Sequence, residues 1–263
     1  MKRTFLGLAT FSLVVACATS PLGRKQFLLV PDSQMNAMGV SAFQEMKAQQ
    51  PTISDPSLVQ YVNCIVKPLT VAARGQTPVN EWEVVIFNDD TPNAFALPGG
   101  KIGVHTGILK VAKTDAQLAA VLGHELGHVI ARHGAERVST QLAAAGGLGL
   151  IDAFLNRKNS SGGNQFIMAA LGLGVQFGVA LPHSRTQESE ADIVGEDLMA
   201  DAGFDPAQSM ELWKNMLAVE GTGRPPEWLS THPAGQNRIA SLQGHLAEAQ
   251  ARYARSVKIS CRR

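Results

Sequence analysis

The segment HELGH, residues 124–128, constrains the fold more than any other part of this sequence. Four residues turn an α-helix by about 400°, so a helix places both histidines on one face, one turn apart. That spacing allows His124 and His128 to bind one tetrahedral Zn²⁺ at about 2.1 Å. Glu125 is rotated by about 100° from His124 and can act as general base on a metal-bound water without being a ligand. The sequence therefore predicts a helix with a zinc centre on one face, one ion per chain.

The flanking residues support a helix around this segment. Thr114 with Gln117 three residues later matches a capping box, and Gly134 is the natural stop. Apolar residues between them recur at helical spacing.

Three polar residues near the predicted zinc site are expected not to reach the metal. His133 is about 180° around the same helix from His124, so it should point away and serve as a surface or packing residue. Glu136 is roughly 12 Å beyond His128 along the helix axis. Glu190 faces nearly the opposite way from Glu188 on a later helix.

The third ligand must come from elsewhere in the chain. The metzincin extension needs a histidine at position 134, which is glycine here, so that class is excluded. Ser184 and Gln187 form a second capping box that opens another helix. On it Glu188 and Asp192 share a face, so Glu188 can bind the metal while Asp192 supports a ligand histidine. The alternative is a solvated acidic helix face.

The remaining pattern predicts an α+β chain that is mostly helical, with one small sheet, in a single domain over residues 32–263. Strands are expected at 82–87, 94–97 and 101–105, the last two as a hairpin with Ile102 and Val104 pointing inward. Helices are expected at 32–49, 56–73, 139–155, 165–181, 206–220 and 234–252, besides the two metal-site helices.

Composition excludes several classes of protein. The chain has 263 residues, of which 45% are apolar and 17% charged, and its formal net charge is +1. This apolar content suffices for a core and excludes disorder, and the charge balance argues against a nucleic-acid partner. No apolar run after the N-terminus reaches the roughly 20 residues of a membrane-spanning helix.

The N-terminus has the build of a signal peptide. Lys2 and Arg3 precede an apolar stretch over residues 5–15, and Ala16 precedes Cys17. A cysteine after a small residue resembles the bacterial lipobox, which implies removal of residues 1–16 and acylation of Cys17. The alternative is an ordinary signal peptide with a chance cysteine.

Lipidation would set the compartment of the mature chain. Several acyl chains anchor a protein stably to a membrane. Ala18 follows the cysteine in place of Asp, which by the general sorting rule indicates the periplasmic side of the outer membrane of a Gram-negative bacterium. We expect residues 17–31 to be the tether between lipid and domain.

Two cysteines remain after Cys17, in a compartment where disulfides persist. The pair predicts one bridge from Cys64, on an early helix, to Cys261 in the C-terminal tail. The alternative is two independent buried thiols.

Four motifs in order carry a family resemblance. They are NAFALPGG at 93–100, HELGH at 124–128, SRTQESEAD at 184–192, and THP at 231–233 with Arg238. The chain resembles metallopeptidase family 48, a gluzincin-type group that includes HtpX and the CAAX prenyl proteases, and within it the soluble periplasmic lipoproteins. HtpX and the prenyl proteases have membrane-spanning helices, which this chain lacks, so CAAX processing is not expected.

The resemblance implies a zincin-like fold and roles for particular residues. Glu188 would be the third zinc ligand, with Asp192 behind a histidine. The strand that includes Asn93, Ala94, Phe95 and Ala96 would form an upper rim that aligns the substrate backbone.

His232 is the predicted donor to the oxyanion of the tetrahedral intermediate. It precedes Pro233, which holds the preceding residue extended, and the family's THP element likewise resembles a histidine near zinc. The alternative is a helix-entry histidine bonded to the backbone. No role is assigned to His105 or His183.

The predicted function is zinc-dependent endopeptidase activity on proteins or peptides of the cell envelope, in protein quality control. Two alternatives remain, namely a catalytically silent lipoprotein chaperone or scaffold for outer-membrane assembly, and zinc chemistry on a non-peptide substrate. The sequence does not indicate the oligomeric state.

Overall fold

The computed structural model describes residues 17–144, 183–220, 228, 231–232 and 236–262. The predicted signal peptide, most of the predicted helix at 139–155 and all of that at 165–181 lie outside the described residues. The strands are β1 (Cys17–Thr19), β2 (Lys25–Phe27), β3 (Thr52–Ile53), β4 (Glu83–Phe87), β5 (Ala94–Leu97) and β6 (Lys101–His105). The helices are α1 (Asp32–Gln49), α2 (Pro56–Ala72), α3 (Ile108–Val111), α4 (Asp115–Ile130), α5 (His133–Ala144), α6 (Arg185–Asp201), α7 (Gln208–Glu220) and α8 (Gln236–Arg255).

This architecture confirms the predicted α+β class. Among the described helices, none is long and apolar enough to cross a bilayer. The main sheet has the strand order β3-β4-β6-β5, and β5 and β6 form the predicted antiparallel hairpin. Ile102 and Val104 point into the core, as the alternation predicted. β4 pairs in parallel with β6, which leaves β5 as an edge strand.

Helix α4 is the centre of the molecule, and α6 crosses it at unusually short range. A Cβ atom added to Gly123 would lie 2.8 Å from the carbonyl oxygen of Gly195, and one added to Gly127 would lie 2.7 Å from that of Ala191. Real Cβ atoms essentially never approach backbone so closely. The glycines therefore allow the two helices to pack backbone against backbone, which brings their polar faces together.

The predicted end of α4 was wrong. The helix ends at Ile130, and Arg132 adopts a left-handed φ of 54°. A second helix, α5, then begins at His133 and not beyond a stop at Gly134. His133 therefore lies on a different helix from His124, and the angular argument that pointed it away from the metal does not apply.

The two predicted capping boxes differ in the structure. At α6 both hydrogen bonds of the box between Ser184 and Gln187 are present. At α4 the Thr114 hydroxyl accepts from the Gln117 N–H, but the Gln117 side chain accepts from the N–H of Lys113. Both helices begin where the capping residues predicted.

The segment 17–31 is packed against the domain and is not a free tether. β1 and β2 pair antiparallel, and we call residues 17–27 the N-terminal ribbon. The Gln26 side chain donates to the Ala131 carbonyl at 2.6 Å, and Arg24 forms two hydrogen bonds with Glu136. These polar contacts with α5 and its entry are long-range, which is why local composition indicated only a linker.

The predicted disulfide between Cys64 and Cys261 is present, with the two Cα atoms 6.0 Å apart. It joins α2 to the C-terminal tail. The tail is also held by the N–H of Ile259, which donates to Gly203, and by that of Cys261, which donates to Asp115.

Replacing Gly195 by alanine should separate α4 from α6. The new Cβ would lie 2.6 Å from the backbone nitrogen of His124, so we expect the free energy of unfolding to fall by about 1–3 kcal/mol. The matched control is Gly244→Ala on α8, where nothing lies within 4 Å and a gain of about 0.5–1 kcal/mol is expected. Urea unfolding measures both. Equal stabilities of the two variants would show that the glycine contact is not required.

Candidate active site

Four buried side chains converge between α4, α6 and the segment before α8. His124, His128, Glu188 and His232 each offer a ligand atom, and these atoms lie within 4.8 Å of one another. His124 Nε2 is 3.0 Å from His128 Nε2 and 3.2 Å from His232 Nδ1. The Glu188 carboxylate lies 3.4 Å from His124 Nε2 and 3.5 Å from His128 Nε2.

This donor set fits a divalent transition metal. Imidazole nitrogens and a carboxylate suit zinc and its neighbours in the first transition row. Three imidazole nitrogens face one another in this buried site, and protons alone cannot give each of them a hydrogen-bond partner. A bound cation would accept the lone pairs of all three. The structure thus brings together the predicted ligands His124, His128 and Glu188, and it adds His232 Nδ1 to the same cluster.

The charge states of the ligands also suit a metal. Burial raises the pKa of Glu188, but His232, His124 and Arg238 outweigh it and hold the pKa well below its ordinary value. Burial and the neighbouring His183 lower the pKa of His128 well below its ordinary value. Glu188 is therefore a carboxylate and His128 is neutral, the forms in which both residues bind metals.

His124 is held from its far side by an ion pair. Its Nδ1 lies 3.0 Å from Asp192 Oδ1, and Asp192 accepts two hydrogen bonds from Arg238, at 2.6 and 2.7 Å. Burial lowers the pKa of His124, but Asp192 and Glu188 outweigh it and raise the pKa to about 9. A metal would replace the proton that this pKa places on His124 at neutral pH.

Glu125 is oriented by a residue that the sequence analysis missed. The indole Nε1 of Trp228 donates to Glu125 Oε1 at 2.7 Å, and His232 Nε2 lies 3.5 Å from the same oxygen. Trp228 is almost fully buried. No local pattern marked it, because its role depends on a contact between residues 103 positions apart.

His133 contacts His128 from the side opposite the other ligand atoms, which corrects the prediction that it points away, although it is not one of the four clustered residues. Its Nδ1 lies 2.8 Å from His128 Nδ1, and its Nε2 lies 3.1 Å from Glu190 Oε2. Its side chain is fully buried. The break at Arg132 redirects the chain so that His133 reaches Nδ1 of His128. Glu190 faces away from the cluster as expected, but it contacts His133.

His183 also belongs to the site, although no role was predicted for it. Its ring lies against His128, with the two centroids 3.9 Å apart, and stacks on His232 at 5.1 Å. Its backbone N–H donates to the carbonyl of Thr231. These contacts tie the start of the α6 segment to the segment that carries His232.

A cleft opens beside the cluster and is bounded by β5. Its lining includes Glu125, His128, His183 and His232 on one side and residues 93–96 on the other. The N–H of His105 donates to the Asn93 carbonyl, so the backbone N–H and C=O groups of residues 93 and 95 face β6. In an antiparallel pair the facing alternates, and Ala94 and Ala96 therefore direct their backbone N–H and C=O groups away from β6. In the part of the chain that the structure describes, no strand pairs with that edge.

Comparison with known proteins decides the family. A family model described as Peptidase family M48 matches residues 56–246. The chain belongs to this family. The match runs from α2 into α8 and includes every residue of the metal cluster, and it confirms the resemblance carried by the four sequence motifs.

Named relatives extend the comparison. The chain is 39% identical over 191 residues to Mitochondrial metalloendopeptidase OMA1 of Schizosaccharomyces pombe, covering 72% of this chain and 53% of that protein. It is 33% identical over 217 residues to Beta-barrel assembly-enhancing protease of Yersinia pestis, covering 81% and 43%. It is 32% identical over 272 residues to Metalloendopeptidase OMA1, mitochondrial, of Bos taurus, covering 94% and 50%. The chain therefore spans about half or less of these relatives.

Proposed function

We propose that this protein is a zinc metalloendopeptidase. The observation that carries the proposal is a buried carboxylate, Glu125, oriented by Trp228 beside a His/His/Glu metal cluster at the floor of a cleft. Membership of a peptidase family and relatives named as metalloendopeptidases support it. A silent scaffold would need none of this orientation of Glu125.

The ligands that would hold zinc are His124, His128 and Glu188. When bound, zinc supplies a water of lowered pKa and a Lewis acid for the scissile carbonyl. Glu125 takes the proton of the attacking water and returns it to the leaving amine. The hydrogen bond from Trp228 to Glu125 Oε1 fixes the orientation of this carboxylate. Burial of the whole cluster excludes bulk water and strengthens these interactions.

The β5 edge supplies the means of holding a peptide. A substrate in extended conformation can pair with the outward N–H and C=O groups of Ala94 and Ala96. Main-chain pairing fixes the position of the scissile bond, and it depends little on which side chains the substrate carries. Asn93 and Phe95, whose backbone groups face β6, keep the edge strand in register. This arrangement favours unfolded or extended protein segments as substrates.

Glu125→Gln should abolish proteolysis and retain zinc. The variant removes the base but no ligand, and we expect kcat to fall by a factor of about 10²–10⁴. Casein or peptide cleavage measures activity, and elemental analysis measures zinc. The control is Glu188→Ala, which should lose the metal as well as the activity. Cleavage by Glu125→Gln at the wild-type rate would contradict the mechanism.

His232 is proposed to act on the reacting carbonyl, although it lies within reach of the metal. Four protein ligands would close a tetrahedral site, whereas catalysis needs a position for water. We infer that during turnover His232 serves as a hydrogen-bond donor to the developing oxyanion.

His232→Phe separates the two roles of this residue. As a donor in the transition state, its loss should lower kcat about a hundredfold, with little change in KM or zinc content. Steady-state kinetics and elemental analysis on the same preparation measure all three quantities. Loss of zinc would make His232 a required ligand, and an unchanged kcat would remove it from the mechanism.

We further propose that the protein is a lipoprotein on the periplasmic side of the outer membrane, acting on envelope proteins in quality control. The support is the signal-peptide pattern with Cys17 after Ala16, and relatives named as beta-barrel assembly-enhancing proteases. Cys17 is the first residue of β1, so an acyl anchor there would hold the domain close to the membrane surface. Other relatives are named as mitochondrial, and cell fractionation distinguishes the two locations.

Cys17→Ser should release the protein from the membrane fraction. Without the thiol no acyl chain can be attached, and the protein should appear in the soluble periplasmic fraction after expression in a Gram-negative host. Fractionation followed by immunoblotting measures the distribution, with the wild-type protein as control. A variant that still sediments with outer membranes would contradict lipid anchoring at this residue.

A further inference from the structure

His128 has a second hydrogen-bonding partner on the side away from the metal cluster. Its Nε2 faces the other ligands, and its Nδ1 lies 2.8 Å from His133 Nδ1. His133 Nε2 in turn lies 3.1 Å from Glu190 Oε2. All three side chains are buried, so water does not replace these contacts. We call this chain of contacts from His128 through His133 to Glu190 the relay.

The chemistry of the three groups allows one arrangement of protons in the neutral relay. A carboxylate can only accept, so the proton on His133 must be on Nε2, where it is donated to Glu190. A neutral imidazole carries one proton, which makes His133 Nδ1 an acceptor. The atom 2.8 Å from it, His128 Nδ1, must then be the donor. His128 Nε2 is left with a lone pair that points into the cluster.

We propose that His133 and Glu190 are positioning residues that fix His128 as its Nδ1–H tautomer, so that its Nε2 is ready to bind the metal. The inference rests on the proposed zinc site and adds a support for the second ligand that matches the support of His124 by Asp192. A histidine ligand held in this way loses less orientational freedom when the metal binds.

The carboxylate of Glu190, at the end of the relay, is itself held in place by hydrogen bonds. Its Oε1 accepts from the backbone N–H of Leu22 at 3.2 Å, and its Oε2 accepts from Arg24 Nε at 3.1 Å. Arg24 is anchored in turn by the two hydrogen bonds to Glu136. The N-terminal ribbon, part of the segment predicted to be a tether, thus forms the outermost layer of the metal site.

Metal affinity tests the relay through a readout other than activity. His133→Phe removes the acceptor, and we expect zinc to bind 10- to 100-fold more weakly, as is typical when the partner of a ligand histidine is lost. His133→Asn, whose amide oxygen can accept from His128 Nδ1, should recover most of the affinity. Competition with a chromophoric chelator measures the dissociation constant in the full-length protein.

The matched control is His245→Phe. His245 Nε2 lies 2.9 Å from Asp197 Oδ1, so this variant also removes a histidine–carboxylate pair, between α8 and α6, but one that touches none of His124, His128 and Glu188. Its zinc affinity should equal that of the wild type. If His133→Phe also binds zinc like the wild type, the relay has no positioning role and the proposal is wrong.

A measurement on the unmodified chain avoids any folding defect of the variants. In the metal-free full-length protein labelled with ¹⁵N-histidine, the chemical shifts should show His128 protonated on Nδ1 and His133 on Nε2. The opposite tautomer of His128 would overturn the proposal while leaving the proposed peptidase activity untouched. Failure of the wild-type protein to bind zinc at all would instead overturn the proposed function.

Discussion

The structure depends on the backbone contact between α4 and α6. Glycines at 123, 127 and 195 remove the side chains that would hold the two helices apart. Because the axes of α4 and α6 are this close, the side chain of Glu188 on α6 is long enough to contact two histidines on α4. A Leu or Ala at these positions would move the carboxylate away from the imidazoles. The geometry of the metal cluster therefore depends on the close packing of the two helices.

Around this contact, each predicted ligand has a polar partner on its far side, drawn from α5, α6 or α8. Asp192 and Arg238 hold His124, and His133 with Glu190 holds His128. Arg238 also places Nη1 2.7 Å from Glu188 Oε2. A buried cluster of this charge density is stable only when its polar groups are paired. The pairing draws in α8, α5 and the N-terminal ribbon, so elements far apart in the sequence contribute to one small site.

Sequence analysis succeeded where the determining interactions are local. The spacing of His124 and His128, the cap at Ser184 and the hairpin around Ile102 follow from helical or strand period and from bonds within four residues. The same reasoning gave the shared face of Glu188 and Asp192. These features were enough to assemble the predicted ligand set and the family resemblance.

The other features of the site could not be predicted from local sequence patterns. One left-handed residue, Arg132, ends α4 early and brings His133 against Nδ1 of His128, and nothing in the helical pattern marks it. The contact of Trp228 with Glu125 and that of Arg24 with Glu190 join residues more than 100 positions apart. Such pairs appear in a sequence only as an unremarkable tryptophan or arginine in a polar stretch. Long-range hydrogen bonding, not propensity, sets this part of the site.

Zinc K-edge X-ray absorption on the purified full-length protein, combined with elemental analysis, tests whether His124, His128 and Glu188 bind zinc. We expect one zinc per chain, bound only by nitrogen and oxygen at about 2.0–2.2 Å, with multiple scattering from at least two imidazoles. Sulfur ligands near 2.3 Å, or no zinc in protein prepared without chelators, would contradict it.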